Sequence, residues 1–63
     1  MAMTLKAIRI NLGLDQEKAA EMLGIKTRTL SNWENGKTFP NVPQIVRIEN
    51  TYGVHYEDIN FMV

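Results

Sequence analysis

The sequence predicts an all-α fold, a compact bundle of five short helices. Three observations carry this: apolar residues recur at helical spacing, glycines and prolines punctuate the resulting segments, and period-two alternation is confined to the final AsnPheMetVal. None of the segments is long enough to be stable alone in water, so they must stabilise one another by packing.

Helix 1 opens at Thr4, whose hydroxyl suits an N-cap, and lines up Leu5, Ile8 and Leu12 before Gly13 ends it. Ile10 lies off that stripe. Asp15 is placed to cap a second helix, Gln16–Leu23, with Ala19, Ala20 and Leu23 on one face. Gly24 and Ile25 make a turn, and a third helix over residues 27–35 directs Leu30 and Trp33 inward. Two prolines in LysThrPheProAsnValPro rule out a continuous helix there, yet Pro43 suits the first turn of a fourth. That helix runs over residues 43–52 with Ile45, Ile48 and Tyr52 inward, and Gly53 ends it. Residues 56–60 are expected to form a last short helix with Ile59 inward.

The chain of 63 residues reads as one domain, residues 1–63, without repeat or linker. A domain this small buries only about 60% of the surface its unfolded chain exposes. With no cysteine, neither disulfides nor thiolate metal sites reinforce it, while 44% hydrophobic content argues against disorder. Self-association is the remaining source of stability. No apolar run approaches the roughly 20 residues of a membrane span, and the start MAMTLKAIRI lacks the long apolar stretch of a signal peptide. A soluble, cytoplasmic protein without a membrane partner is expected. Seven basic and seven acidic residues cancel, but unevenly along the chain. Lys6, Arg9, Lys18, Lys26, Arg28 and Lys37 outnumber Asp15, Glu17, Glu21 and Glu34 in the front, whereas Arg47 faces Glu49, Glu57 and Asp58 behind.

Residues 14–37, LDQEKAAEMLGIKTRTLSNWENGK, are the most informative stretch: two short helices joined by a tight glycine turn. This is the outline of a DNA-reading helix-turn-helix, and equally of an amphipathic hairpin that reads nothing. At about 100° per residue, the outward face of the second helix carries Thr27, Arg28, Ser31 and Asn32. These side chains are short or forked enough to meet base edges in a major groove. Enzymatic function has no support. Ser31, the single serine, points outward on the reading helix, and His55, the single histidine, stands in a different segment, so no nucleophile and base can be paired. One histidine and no cysteine also make a transition-metal site improbable, and no cofactor or small-molecule ligand is expected.

Leu12 to Leu14, Gln16, Ala20, Leu23 to Ile25 and Glu34 to Lys37 together resemble the phage repressor and Cro-like (XRE-type) helix-turn-helix family. The likeness extends to helix 4 and the closing TyrGlyValHisTyrGluAspIle, so it covers nearly the whole chain. It implies a lambda-repressor-like DNA-binding domain. In that family pattern Gln16 bonds a phosphate at the start of helix 2, the alternative being a solvated first-turn residue. Asn35 and Lys37 resemble a second phosphate clamp, although Asn35 and Gly36 also suit a simple helix exit. Base reading falls to Lys26, Thr27, Arg28 and Asn32. The fork of Arg28 suits guanine O6 and N7, the amide of Asn32 suits adenine, and the Thr27 methyl suits thymine. Solvated cation and phosphate contact stay open for Arg28. Arg9 and Glu34 correspond to a structural ion pair between helix 1 and the end of the reading helix.

Two departures from the family pattern matter. Lys26 stands where serine or threonine usually caps the reading helix, so Thr27 is the alternative cap and would shift the helix start by one residue. Ala19 replaces a usual leucine, and the large Trp33 is the expected compensation for the lost volume. Ile59, Phe61 and Met62 either complete the core or meet a second chain. The function expected is a sequence-specific double-stranded DNA-binding regulator, a phage or prophage repressor or Cro-like protein, working as a homodimer on a palindromic operator. The competing reading keeps the fold but makes the domain a protein-interaction module, an antirepressor or antitoxin acting through its apolar end.

Overall fold

The computed structural model describes residues 2–61. Four α-helices form the body: α1 (Leu5–Asn11), α2 (Gln16–Leu23), α3 (Thr27–Glu34) and α4 (Val42–Tyr52). Two short strands, β1 (Met3–Thr4) and β2 (Ile59–Asn60), pair in parallel with Met3 beside Ile59 and Thr4 beside Asn60. The core consists of Leu5, Ile8, Ala19, Ala20, Leu23, Leu30, Trp33, Ile48, Tyr52 and Ile59, with Leu30 and Ile48 its largest fully enclosed side chains.

The caps explain where the helices begin. Thr4 Oγ1 accepts from the Ala7 amide at 3.1 Å, and Asp15 Oδ1 accepts from the Lys18 amide at 2.7 Å. At α4, Asn41 and Gln44 form a reciprocal capping box, with bonds of 2.8 and 2.9 Å. That box starts the helix at Val42, one residue ahead of the expected Pro43. The third helix ends one residue early, at Glu34, because Asn35 is its cap.

Three expectations need correction. The fifth helix over residues 56–60 is instead a 3-10 turn, Tyr56–Asp58, followed by β2. Too few residues lie between Gly53 and the pairing strand to nucleate an α-helix, and extended β-branched Ile59 still reaches the core at 7% exposure. Leu12 does not join the stripe of α1; it is the helix's C-cap residue and is exposed, and the third buried position on α1 belongs to Arg9. Thr27 does not cap α3: Lys26 holds the N-cap position with extended backbone and no side-chain bond, so the helix start is not shifted.

The exits are as specific as the starts. Gly24 sits at φ 70° and Gly36 at φ 73°, a left-handed backbone that costs other residues strain. At Gly36 the chain closes a Schellman motif: the Gly36 amide donates to the Trp33 carbonyl at 3.2 Å and the Lys37 amide to the Asn32 carbonyl at 2.9 Å. Lys37 is thereby held beside the carboxyl-terminal end of α3.

Candidate nucleic-acid interface

The interface candidate is α3 with the turns on either side of it. Its carboxyl-terminal end is anchored by charge. Glu34 projects back toward α1, where Arg9 Nε donates to its Oε2 at 2.8 Å and Arg9 Nη2 to its Oε1 at 3.2 Å. Arg9 Nη1 also donates to the Leu14 carbonyl at 2.8 Å, so the guanidinium ties α1, the following turn and α3 together. Both residues are buried, at 7% and 6% exposure. The hydrogen bonds to Glu34 hold the Arg9 pKa above its ordinary value, outweighing the opposing effect of burial.

Gln16 belongs to the same cluster: its amide nitrogen donates to Glu34 Oε1 at 3.0 Å. One amide hydrogen and the carbonyl oxygen are left for another partner. The side chain proposed for a phosphate is thus oriented by a buried carboxylate from a helix that follows it in the chain. Tyr52 completes the surroundings. Its hydroxyl is buried without a hydrogen-bond partner among the described residues, and desolvation, then the Glu34 charge, pushes its pKa up to about 12. Only the fold brings Tyr52 here; nothing local in the sequence signals it.

The amino-terminal end of α3 is open. Lys26, Thr27 and Arg28 are exposed, Asn32 is half-buried on the next turn, and Ser31 accepts from Asn35 Nδ2 at 3.3 Å. Lys37 is exposed just beyond the helix. Glu34 is the single acid between Gly24 and Asn41, and it is consumed by Arg9 and Gln16. Lys26, Arg28 and Lys37 therefore face solvent with no ion-pair partner among the described residues. Such a surface favours an anion, and helix dimensions suit a groove.

The structure separates the residues of the apolar end. Ile59 is core; Phe61 is half-buried and meets Tyr56 and Phe39 at ring-centroid distances of 5.9 and 6.4 Å; Met62 lies outside the described residues. Phe39, Pro40, Ile45, Tyr56 and Phe61 line a cavity of about 210 Å³. Phe39 and Val42 are exposed at 64% and 72%, and Val46, four residues after Val42 on α4, is also exposed. Sequence reading missed Phe39 and Val42, although their apolar character next to prolines was visible.

No described helix is long and apolar enough to cross a membrane. Among the described residues, no group of histidine, cysteine and acidic side chains is arranged to hold a metal ion. No solved structure matches the chain significantly. The HTH-type transcriptional activator BcrR of Enterococcus faecalis is 31% identical over 55 residues, an alignment covering 87% of this chain and 27% of that protein. The chain thus spans about a quarter of that relative's length. A helix-turn-helix family model matches residues 5–59, from the first core residue of α1 to the buried Ile59 of β2. With two helices joined at Gly24, an anchored second helix and a match over nearly the whole described fold, the chain belongs to the helix-turn-helix family.

Proposed function

We propose that the chain is the sequence-specific double-stranded DNA-binding part of a transcription regulator, of the phage repressor or Cro-like kind, with α3 lying in the major groove. The observation that carries this is the charge of the surface from Gly24 to Asn41: Lys26, Arg28 and Lys37 are exposed, while the one acid of that stretch is buried in an ion pair. Lys26, Thr27, Arg28 and Asn32 read base edges; Gln16, Asn35 and Lys37 hold phosphates. The carboxylate bond to Gln16 presets its amide, which lowers the ordering cost of the phosphate contact. BcrR is named as an activator, so activation is open to this protein beside repression by occupancy.

The functional unit in this reading is a homodimer placing two α3 helices about 34 Å apart on a palindromic operator. The exposed side chains of Phe39 and Tyr56, which line one apolar cavity with Pro40, Ile45 and Phe61, support self-association, since exposed apolar surface marks an interaction site. The experiment is a salt titration of binding to random and to selected duplexes, with sedimentation of the free and bound protein. Tight, selective, salt-dependent binding by a dimer is expected. Weak binding to every duplex, with Phe39→Ser abolishing biological activity while alanine at Lys26, Arg28 and Lys37 spares it, would favour the protein-interaction reading.

A further inference from the structure

One cation beside the helix-turn-helix has no role above. Arg47 precedes Ile48, which is fully buried, and the helical register swings the Arg47 side chain round toward the turn between α2 and α3. There its Nη2 lies 3.3 Å, and its Cζ 3.5 Å, from where a Cβ on Gly24 would stand. The guanidinium therefore rests over the turn, at the rim of a cavity of about 260 Å³ floored by Leu23, Ile25 and Trp33. Arg47 is exposed and makes no hydrogen bond or ion pair among the described residues. Lys26 and Arg28 follow Gly24 within four residues, and no acid lies between Gly24 and Trp33. The atoms over the turn are those of the guanidinium, Nη2, Cζ and Nε, and its N–H groups, unpaired among the described residues, are donors suited to an oxyanion.

The geometry points to Arg47 as a further phosphate-binding residue, acting on the DNA backbone beside the amino-terminal end of α3. This assignment rests on the reading of α3 as the DNA-reading helix. Gln16, Asn35 and Lys37 gather at the other end, where Gln16 meets Glu34 and Lys37 follows the Schellman turn. An eight-residue helix spans about 12 Å, and the major groove is about 12 Å wide. Arg47 at one end and Gln16, Asn35 and Lys37 at the other are therefore far enough apart to meet phosphates on both sides of one groove. Arginine suits the role because its planar fork takes two phosphate oxygens at once. The contact contributes affinity and orientation and reads no base.

The test is the salt dependence of binding to a random-sequence 20-base-pair duplex, for the wild type, Arg47→Met and Arg47→Lys. Methionine keeps an apolar stem over the turn and removes the charge, and circular dichroism verifies that each variant is folded. The expected result is a log-log salt slope smaller by about 0.9 for Arg47→Met, a near-normal slope for Arg47→Lys, and equal weakening on duplexes of different sequence. An unchanged slope in Arg47→Met, with the wild type binding DNA, overturns the assignment alone. Altered preference among duplexes makes Arg47 a base reader and overturns it too. Failure of the wild type to bind any duplex overturns the DNA reading and the assignment together.

Discussion

The two ends of α3 are built to opposite rules. At the carboxyl-terminal end Glu34 is buried, doubly bonded by Arg9 and bonded again by Gln16, and the Schellman turn at Gly36 closes the helix. At the amino-terminal end the N-cap residue Lys26 has no side-chain bond, and Lys26, Thr27 and Arg28 point into solvent. In the proposed reading, the anchoring of the fold and the base contacts of Lys26, Thr27 and Arg28 are segregated along a helix of eight residues, while the phosphate contacts of Gln16, Asn35 and Lys37 fall at the anchored end. The anchored end fixes where the open end points, and the open end can vary in sequence without disturbing the core.

The largest expected effect breaks the anchored end. Glu34→Gln leaves the buried Arg9 guanidinium without its counter-charge and should cost about 3–5 kcal/mol, read as a loss of thermal stability by circular dichroism. DNA binding would fall with it, through unfolding. Replacing both partners, Arg9→Met with Glu34→Leu, should recover most of the melting temperature; a double variant as unstable as the single would show that the ion pair is not the anchor.

The open end should respond in the reverse manner. Arg28→Ala is expected to leave the melting temperature nearly unchanged while losing about 1–3 kcal/mol of discrimination at one base position, measured by competition among selected duplexes. Equal weakening on all sequences would turn Arg28 into a phosphate contact. A clear drop in melting temperature would blur the segregation itself.

A pH dependence distinguishes the ends more finely. Tyr52, beside the anchored cluster, has its folded pKa pushed up to about 12 by burial, whereas a free tyrosine titrates near about 10. The unfolded chain thus releases its proton first, so the contribution of Tyr52 to stability is constant below about pH 10 and falls as pH rises toward 12, by at most about 1.4 kcal/mol per unit. Melting curves of the wild type and Tyr52→Phe across that window should diverge, the variant being less sensitive to alkali. Coincident slopes would mean that the hydroxyl is hydrated. At neutral pH Tyr52→Phe should cost little, because the hydroxyl has no partner to lose among the described residues.

The smallest effect repairs the open end. Lys26→Ser supplies the missing cap oxygen and should raise stability by roughly 0.5–1 kcal/mol, with weaker DNA binding through the lost cation. No stability gain would indicate that the α3 amides are already satisfied by water.

Much of this arrangement was legible in the residues themselves. Thr4, Asp15, Gly13, Gly24, Gly36 and Gly53 bound the helices because caps and left-handed exits depend on the local chemistry of one or two residues. Leu30 and Trp33 turned inward because a period of 3.6 leaves them one face. The Asn41 to Gln44 spacing was also a readable capping box, overshadowed by Pro43. Other features had no local signal. Two-residue strands carry no periodicity, and β1 finds β2 only when the ends of the chain meet. Met62, one of the residues expected at an apolar interface, lies outside the described residues.

The sequence by itself determined the four α-helical segments, their turns and the cations in and beside α3, since each depends on neighbours three or four residues away, but not the 3-10 turn and strand that stand in place of a fifth helix. Tertiary structure alone decided that Leu12 stays wet while Arg9 is buried, that Gln16 is held by Glu34, and that Arg47 lies over Gly24. The physical reason is distance along the chain: Arg9 and Glu34 are 25 residues apart, and a charge is tolerable in a core only where packing delivers its partner.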